Sequence, residues 1–187
     1  LPSPRVVAAV SEAEVEKLRL YSDPACAQLL RTAAAHFGFA FNAHAVRQEL
    51  QIAALQHRDG DWRVRLALQV SGAVIITAEP LLPTPQPVQL QLARQPLPNS
   101  VAQSDAVRFK TSVRAQYDAY RSRSDAVFDV VLYNESGEIT ECTRGNIAAQ
   151  LADGRWVTPP LACGLLPGIG RAVALQQGRV VEAVIQI

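Results

Sequence analysis

The chain has 187 residues, 49% of them hydrophobic, and so has enough length and apolar content to bury a substantial core. Charged residues make up 19%, and the formal net charge is +1 at pH 7. These values argue against a disordered chain. They also argue against a nucleic-acid partner, because binding a phosphate backbone requires a concentrated positive patch.

Two other classes of protein are disfavoured by local features. The longest apolar runs, such as VFDVVLY at 127–133, are too short to span a bilayer, and the first residues lack the pattern of a signal peptide. We therefore expect a cytoplasmic protein with no membrane partner. The three cysteines, Cys26, Cys142 and Cys163, are an odd number without C-x-x-C spacing, which predicts free thiols rather than disulfides or a zinc site.

The first third of the chain has helical signals. Residues 11–14 have the Ser-x-x-Glu pattern of a capping box, and Asp23-Pro24 is a typical start for a helix over 25–37. Asn42 is placed to cap a second helix over 43–57.

A β-hairpin is predicted next. Apolar and other residues alternate over 62–69, a second short run covers 73–79, and Ser71-Gly72 between them supplies a turn. The proline-dense segment 80–87 cannot continue a central strand.

The second half is predicted to be β-rich. Short runs with strand character are separated by turns: VFDVVLY, EITEC, GNIAAQL and RWVTP. Helices are predicted near 112–123 and 169–177. We accordingly predict an α+β protein with an N-terminal α+β domain over 1–98 and a β-rich domain over 99–187.

Lysine is scarce in this sequence. Of the 18 basic residues only Lys17 and Lys110 are lysines, so only these two side chains can do chemistry that needs a primary amine. A lone lysine is usually a solvated surface residue. Lys17 lies among glutamates, whereas Lys110 lies between Arg108 and Arg114, positive charges that favour a neutral amine.

Four segments of the second half together resemble the class IV aminotransferase and aminodeoxychorismate lyase family. They occur in the family's order: FKTSVRAQYD (109–118), NESGEITECTRGN (134–146), WVTPPLACGLLPG (156–168) and IGRA (169–172). The resemblance covers residues 105–187 well, with a fainter echo at AAAHFGFAF. It implies a two-domain fold-type IV enzyme, with a small α/β N-terminal domain, an open barrel-like C-terminal domain and pyridoxal 5'-phosphate as cofactor.

The resemblance also assigns roles to residues. Lys110 matches the catalytic lysine that bonds to the cofactor, and Glu141 matches the carboxylate that pairs with the cofactor's ring nitrogen. Thr143 matches a region that helps hold the phosphate, through its hydroxyl and neighbouring N–H groups, and Leu166 matches the residue that packs on the ring.

The phosphate itself is expected at the start of the last helix. The N–H groups of Ile169 and Gly170 would face it there, since a helix N-terminus attracts anions. Relatives add an arginine from the first domain. Its position aligns with Leu29, so Arg31, two residues away, is the candidate phosphate ligand. Relatives also have a segment beyond the position of Ile187 with further contacts, so we expect the site within this sequence to be incomplete.

The function that the resemblance implies is a lyase that converts 4-amino-4-deoxychorismate to 4-aminobenzoate and pyruvate in folate biosynthesis. Lys110 would release the cofactor to the substrate amine and then take the proton from C4. An aminotransferase for branched-chain or D-amino acids is the alternative, because it uses the same cofactor residues. A non-catalytic relative is disfavoured by the presence of both Lys110 and Glu141. The resemblance further implies a homodimer.

Overall fold

The computed structural model describes residues 24–84 and 86–187. Within them the chain forms two compact units, one ending at Pro83 and the other beginning at Thr84. The division therefore lies about fifteen residues before the predicted boundary between 98 and 99, because β3 (Leu90–Leu92) pairs with a strand of the second unit. The expected capping box at 11–14 and Lys17 lie outside the described residues.

The first unit contains two helices and a hairpin, as predicted. Helix α1 spans Pro24–Phe37 and α2 spans Ala43–Gln56. The Asn42 side chain caps α2 by accepting hydrogen bonds from the N–H groups of His44 and Ala45. Strands β1 (Trp62–Leu68) and β2 (Val74–Pro80) pair antiparallel, and α2 packs against β2.

The second unit contains two three-stranded sheets and several short helices. In the first sheet, β4 (Asp129–Tyr133) lies between β3, which is parallel to it, and β5 (Ile139–Cys142), which is antiparallel. The second sheet has the order β6 (Ala149–Gln150), β7 (Trp156–Thr158), β8 (Val181–Glu182). The helices are α3 (Asn99–Ala102), α4 (Asp105–Arg108), α5 (Ala115–Asp118) and α6 (Ile169–Gln176), with a 3₁₀ turn at Leu161–Cys163.

Two of these helices were predicted from the sequence, with different success. Helix α6 begins at Ile169 as expected. The helix expected near 112–123 is only the single turn α5, which ends at Asp118. The next residues form tighter i→i+3 hydrogen bonds, from the N–H groups of Tyr120 and Arg121 to the carbonyls of Tyr117 and Asp118. Within 24–84 and 86–187, no helix has the length and apolar content needed to cross a membrane.

Strand β4 separates two apolar clusters. Val130 and Leu132 face one cluster, which includes Val107 and Tyr117, whereas Val131 faces the other. Successive residues of a strand point to opposite faces, so a strand buried on both sides has a continuous apolar sequence such as Val-Val-Leu. Glu141 lies on the neighbouring strand β5, all four residues of which are buried.

The buried cysteines agree with the sequence expectation. Cys142 and Cys163 are free thiols with buried side chains. The side chain of Cys26 lies outside the described residues.

Gly164 fixes the start of the loop that precedes α6. Its φ is +93°, and a Cβ added there would lie 2.5 Å from Ala102 Cβ and 2.9 Å from Ala102 O. Both the left-handed backbone and the close approach to α3 require glycine.

We expect Gly164→Ala to destabilise the protein more than Gly154→Ala. Gly154 also has a positive φ, +86°, but a Cβ there would contact nothing within 4 Å. The control should lose about 1–2 kcal/mol from backbone strain, and Gly164→Ala should lose about 1–3 kcal/mol more from overpacking. Urea unfolding of both variants measures the difference, and equal losses would contradict the close packing of α3.

Candidate active site

Lys110 lies in the segment between α4 and α5. Solvent reaches its side chain, yet the surrounding protein atoms remove enough water to lower the pKa of its amine. The positive charge of Arg114 lowers this pKa further, and the negative charge of Glu141 opposes the shift. A lower pKa increases the fraction of neutral amine, which is the nucleophilic form.

Glu141 lies on β5 with its side chain only 3% exposed. Burial raises the pKa of its carboxyl group to about 7. Several neighbours lower this pKa and so oppose the shift. The Tyr117 hydroxyl donates a hydrogen bond to Oε1 at 2.7 Å, and the Leu166 N–H also donates to the carboxylate. The positive charges of Arg114 and Lys110 stabilise the ionised carboxylate. The mutual electrostatic effect of Lys110 and Glu141 shows that the structure brings the two predicted residues together.

Asn146 connects Glu141 to the loop before α6. Its Nδ2 atom lies 3.3 Å from Glu141 Oε2 and donates to the carbonyl of Leu166 at 2.8 Å. A Cβ on Gly168 would lie only 2.0 Å from Asn146 Oδ1, so only glycine fits there. The Asn146 side chain therefore lies between the Glu141 carboxylate and the start of α6 and sets the distance between them.

The start of α6 is held by a buried arginine. Gly168 is the N-cap, and the N–H groups of Ile169 and Gly170 at the first two positions have no acceptor within the helix. Arg171 donates to the carbonyl of Pro159 at 2.8 Å and forms an ion pair with Glu182. This role of Arg171 in holding the helix was not predicted from the sequence.

Thr143 lies in the loop after Glu141. The Thr143 hydroxyl donates its single hydrogen to Asp129 Oδ1 at 2.6 Å, and the Arg144 N–H donates to Asp129 Oδ2 at 3.1 Å. The Thr143 N–H is bonded to the carbonyl of Val130. These donors are thus bonded to groups of β4, and a contact between Thr143 and a phosphate stays a prediction.

Two other predicted residues are placed as follows. Leu166 is half-buried and contacts Glu141 through its backbone N–H, while its packing on a cofactor ring stays a prediction. Arg31 lies on α1 in the first unit, with its guanidinium 5.8 Å from the centre of the Phe41 ring. Its role as a phosphate ligand also stays a prediction.

Tyr117 and Asn146 were not predicted from the sequence to belong to the site. Both lie inside the family motifs, Tyr117 seven residues after Lys110 and Asn146 five residues after Glu141, and this spacing was the feature that could have indicated them. The spacing does not identify their hydrogen-bond partners, because Tyr117 contacts Glu141 across 24 residues of sequence.

Comparisons with known proteins show what the whole chain is similar to. The family model for class IV amino-transferases matches residues 27–187. A Schizosaccharomyces pombe protein named "Putative aminodeoxychorismate lyase" is 35% identical over 125 residues, which are 64% of this chain and 53% of that protein. The chain thus spans about half the length of this curated relative.

Solved structures show the same fold. A "Putative amino-acid aminotransferase" from Mesorhizobium loti is 38% identical, with a TM-score of 0.75 over 85% of this chain and 77% of that one. The 4-amino-4-deoxychorismate lyase from Pseudomonas aeruginosa is 16% identical, with a TM-score of 0.66 over 86% and 67% of the chains, a likeness of fold alone. The mixed α+β fold-type IV architecture is therefore confirmed.

The raised pKa of Glu141 should make stability depend on pH. The folded protein holds a proton on Glu141 up to about pH 7, whereas the unfolded chain releases it near the ordinary value of 4.5. The free energy of unfolding should therefore fall as the pH rises through this window, by up to about 3 kcal/mol.

We expect Glu141→Gln to lack this loss in cofactor-free protein. Urea unfolding from pH 4.5 to 8 measures it, with Glu135→Gln, which removes an exposed carboxylate of the same unit, as the control. Parallel pH profiles for the parent and Glu141→Gln would contradict the burial of an ionisable carboxyl group at this position.

Proposed function

The chain belongs to the class IV aminotransferase family, and we propose that it is a pyridoxal-phosphate-dependent lyase that converts 4-amino-4-deoxychorismate to 4-aminobenzoate and pyruvate. One observation carries the proposal: an amine with a lowered pKa, Lys110, lies within electrostatic reach of a buried carboxylate, Glu141. The lyase reaction is supported by the 35% identity to the fission yeast relative.

The residues of the site fit this cofactor chemically. Lys110 supplies the amine that bonds to an aldehyde, and Glu141 supplies a buried negative charge for a protonated ring nitrogen. The N–H groups of Ile169 and Gly170 at the start of α6 supply donors for a phosphate. Gly170 adds no side chain that would obstruct close approach.

The reaction needs a base and a place for electrons. When bound, the cofactor accepts the electron pair left by the proton that departs from the substrate's amine-bearing carbon. Lys110, freed by exchange with the substrate amine, takes that proton from C4. The bond between C3 and the enolpyruvyl oxygen would then break, and the substrate ring would become aromatic. The enolpyruvate that leaves would take a proton, such as the one that Lys110 now holds, and become pyruvate.

Glu141 acts by its charge. As a carboxylate it stabilises a proton on the ring nitrogen, which is the condition for withdrawing electrons from the substrate carbon. Tyr117, Leu166, Arg114 and Lys110 all favour this ionised form against the effect of burial. These neighbours offset part of the effect of burial, which still raises the pKa of Glu141 to about 7.

An aminotransferase is the second candidate function. It would use the same Lys110 and Glu141 but return the proton to the cofactor instead of expelling a group from C3. The relative from Mesorhizobium loti, named as an amino-acid aminotransferase, favours this alternative at 38% identity.

We expect Lys110 to carry the covalent bond to the cofactor. After loading with pyridoxal phosphate and reduction with borohydride, peptide mapping should find the phosphopyridoxyl mass on the Lys110 peptide, because this is the lysine in the family motif. Lys110→Arg, which keeps the positive charge, is the control and should take up no label there. Label on Lys17, or none in saturated protein, would refute the assignment.

Product analysis separates the two functions. With 4-amino-4-deoxychorismate we expect equal amounts of pyruvate and 4-aminobenzoate, and we expect Glu141→Gln to react on the order of 100-fold more slowly, equivalent to about 2.7 kcal/mol. Keto-acid formation from branched-chain or D-amino acids, without 4-aminobenzoate, would favour the aminotransferase. A variant as fast as the parent would refute the role of Glu141.

A further inference from the structure

Tyr117 makes a short hydrogen bond to the Glu141 side chain. Its hydroxyl donates to Oε1 at 2.7 Å, and both side chains are buried, with exposures of 7% and 3%. Asn146 Nδ2 donates to the other carboxylate oxygen at the longer distance of 3.3 Å and also donates to the Leu166 carbonyl. The Tyr117 hydroxyl, by contrast, directs its single hydrogen to Glu141.

The packing of the Tyr117 ring holds its hydroxyl next to Glu141. It lies on α5, where its ring packs into the apolar cluster with Val107 and Leu132. The Arg114 guanidinium lies 5.0 Å from the centre of the ring and donates to the Thr143 carbonyl at 2.5 Å. Contacts on both sides therefore hold the ring in place, and the hydroxyl cannot swing away from Glu141 without repacking.

We propose that Tyr117 is a positioning residue that fixes the orientation of the Glu141 carboxylate and favours its ionised form for the cofactor. The proposal rests on the proposed function for the identity of the cofactor. The contact between the two side chains does not depend on that identity.

Tyr117 is one of several groups that influence the pKa of Glu141. The charged or titratable groups that act on Glu141 are Lys110 before α5, Arg114 at its start and Tyr117 on it. Burial raises the pKa of the Cys142 thiol on the same strand, and the charge of Glu141 in turn raises it further. Burial raises the pKa of Glu141, and the hydrogen bond from Tyr117 is the largest effect that lowers it. Without that hydroxyl, Oε1 would be a buried acceptor without its donor, and the neutral acid would be favoured further.

Tyr120 provides a matched control. Its hydroxyl also makes a partly buried hydrogen bond, to the carbonyl of Pro96 at 2.8 Å, and its ring packs against the same apolar cluster. Tyr120→Phe therefore removes a similar hydroxyl from the same unit and leaves Glu141 untouched.

The first test uses cofactor-free protein and the pH dependence of unfolding. In Tyr117→Phe the fall in stability that begins near pH 4.5 should continue above pH 7, whereas in Tyr120→Phe it should end where it ends in the parent. In the Glu141→Gln background, Tyr117→Phe should cause no shift with pH. A Tyr117→Phe profile that parallels that of Tyr120→Phe would overturn the proposal, and so would a shift that persists without Glu141.

The second test measures the affinity for pyridoxal phosphate. At pH 7, Tyr117→Phe should bind it on the order of 10-fold more weakly than the parent, and the difference should shrink at pH 8.5 as Glu141 ionises. Affinity equal to that of Tyr120→Phe at both pH values would overturn the role toward the cofactor. Failure of the parent itself to bind would instead refute the proposed function, while the first test would still decide whether Tyr117 controls Glu141.

Discussion

The arrangement of the second unit depends on a carboxylate that lies almost entirely out of water. Burying the charge of Glu141 without partners would cost several kcal/mol, and such a group would simply hold its proton. The structure instead places donors on it from three separate segments, namely Tyr117, Asn146 and the backbone of Leu166. These segments must meet at one point for the strand that carries Glu141 to be buried.

The same contacts connect parts of the site that are distant in sequence. Asn146 spans from Glu141 to the loop that ends at Gly168, and Arg171 holds the next helix against β7 and β8 through Pro159 and Glu182. The Glu141 carboxylate and the N–H groups at the start of α6 are therefore parts of one hydrogen-bonded framework. The spacing between them is set by backbone and buried side chains, which vary less than exposed loops.

The proposed chemistry places the same requirement on Lys110 and Glu141, the loss of a proton, and the segment around α5 assists it in both. The amine must lose its proton easily, and the carboxylate must lose its proton despite burial. Arg114 assists both, because a positive charge lowers the pKa of each group. Arg114 and Tyr117 are three residues apart on a single helical turn, so their side chains lie on the same side of it. Arg114 lowers the pKa of both Lys110 and Glu141, and Tyr117 donates a hydrogen bond to Glu141.

Local patterns in the sequence were enough for the helices of the first unit, the hairpin and the start of α6, because caps, alternation and turn residues act over a few positions. The order of motifs was enough to identify the family, and it made Lys110 and Glu141 the candidate site residues. Contacts between distant residues determine the domain boundary and the acceptor of the Thr143 hydroxyl. Strand β3 pairs with β4 across more than thirty residues, and the Thr143 hydroxyl donates to Asp129 across 14. Only the tertiary structure brings together groups that no local pattern relates, and it alone determined which partners make a buried carboxylate stable.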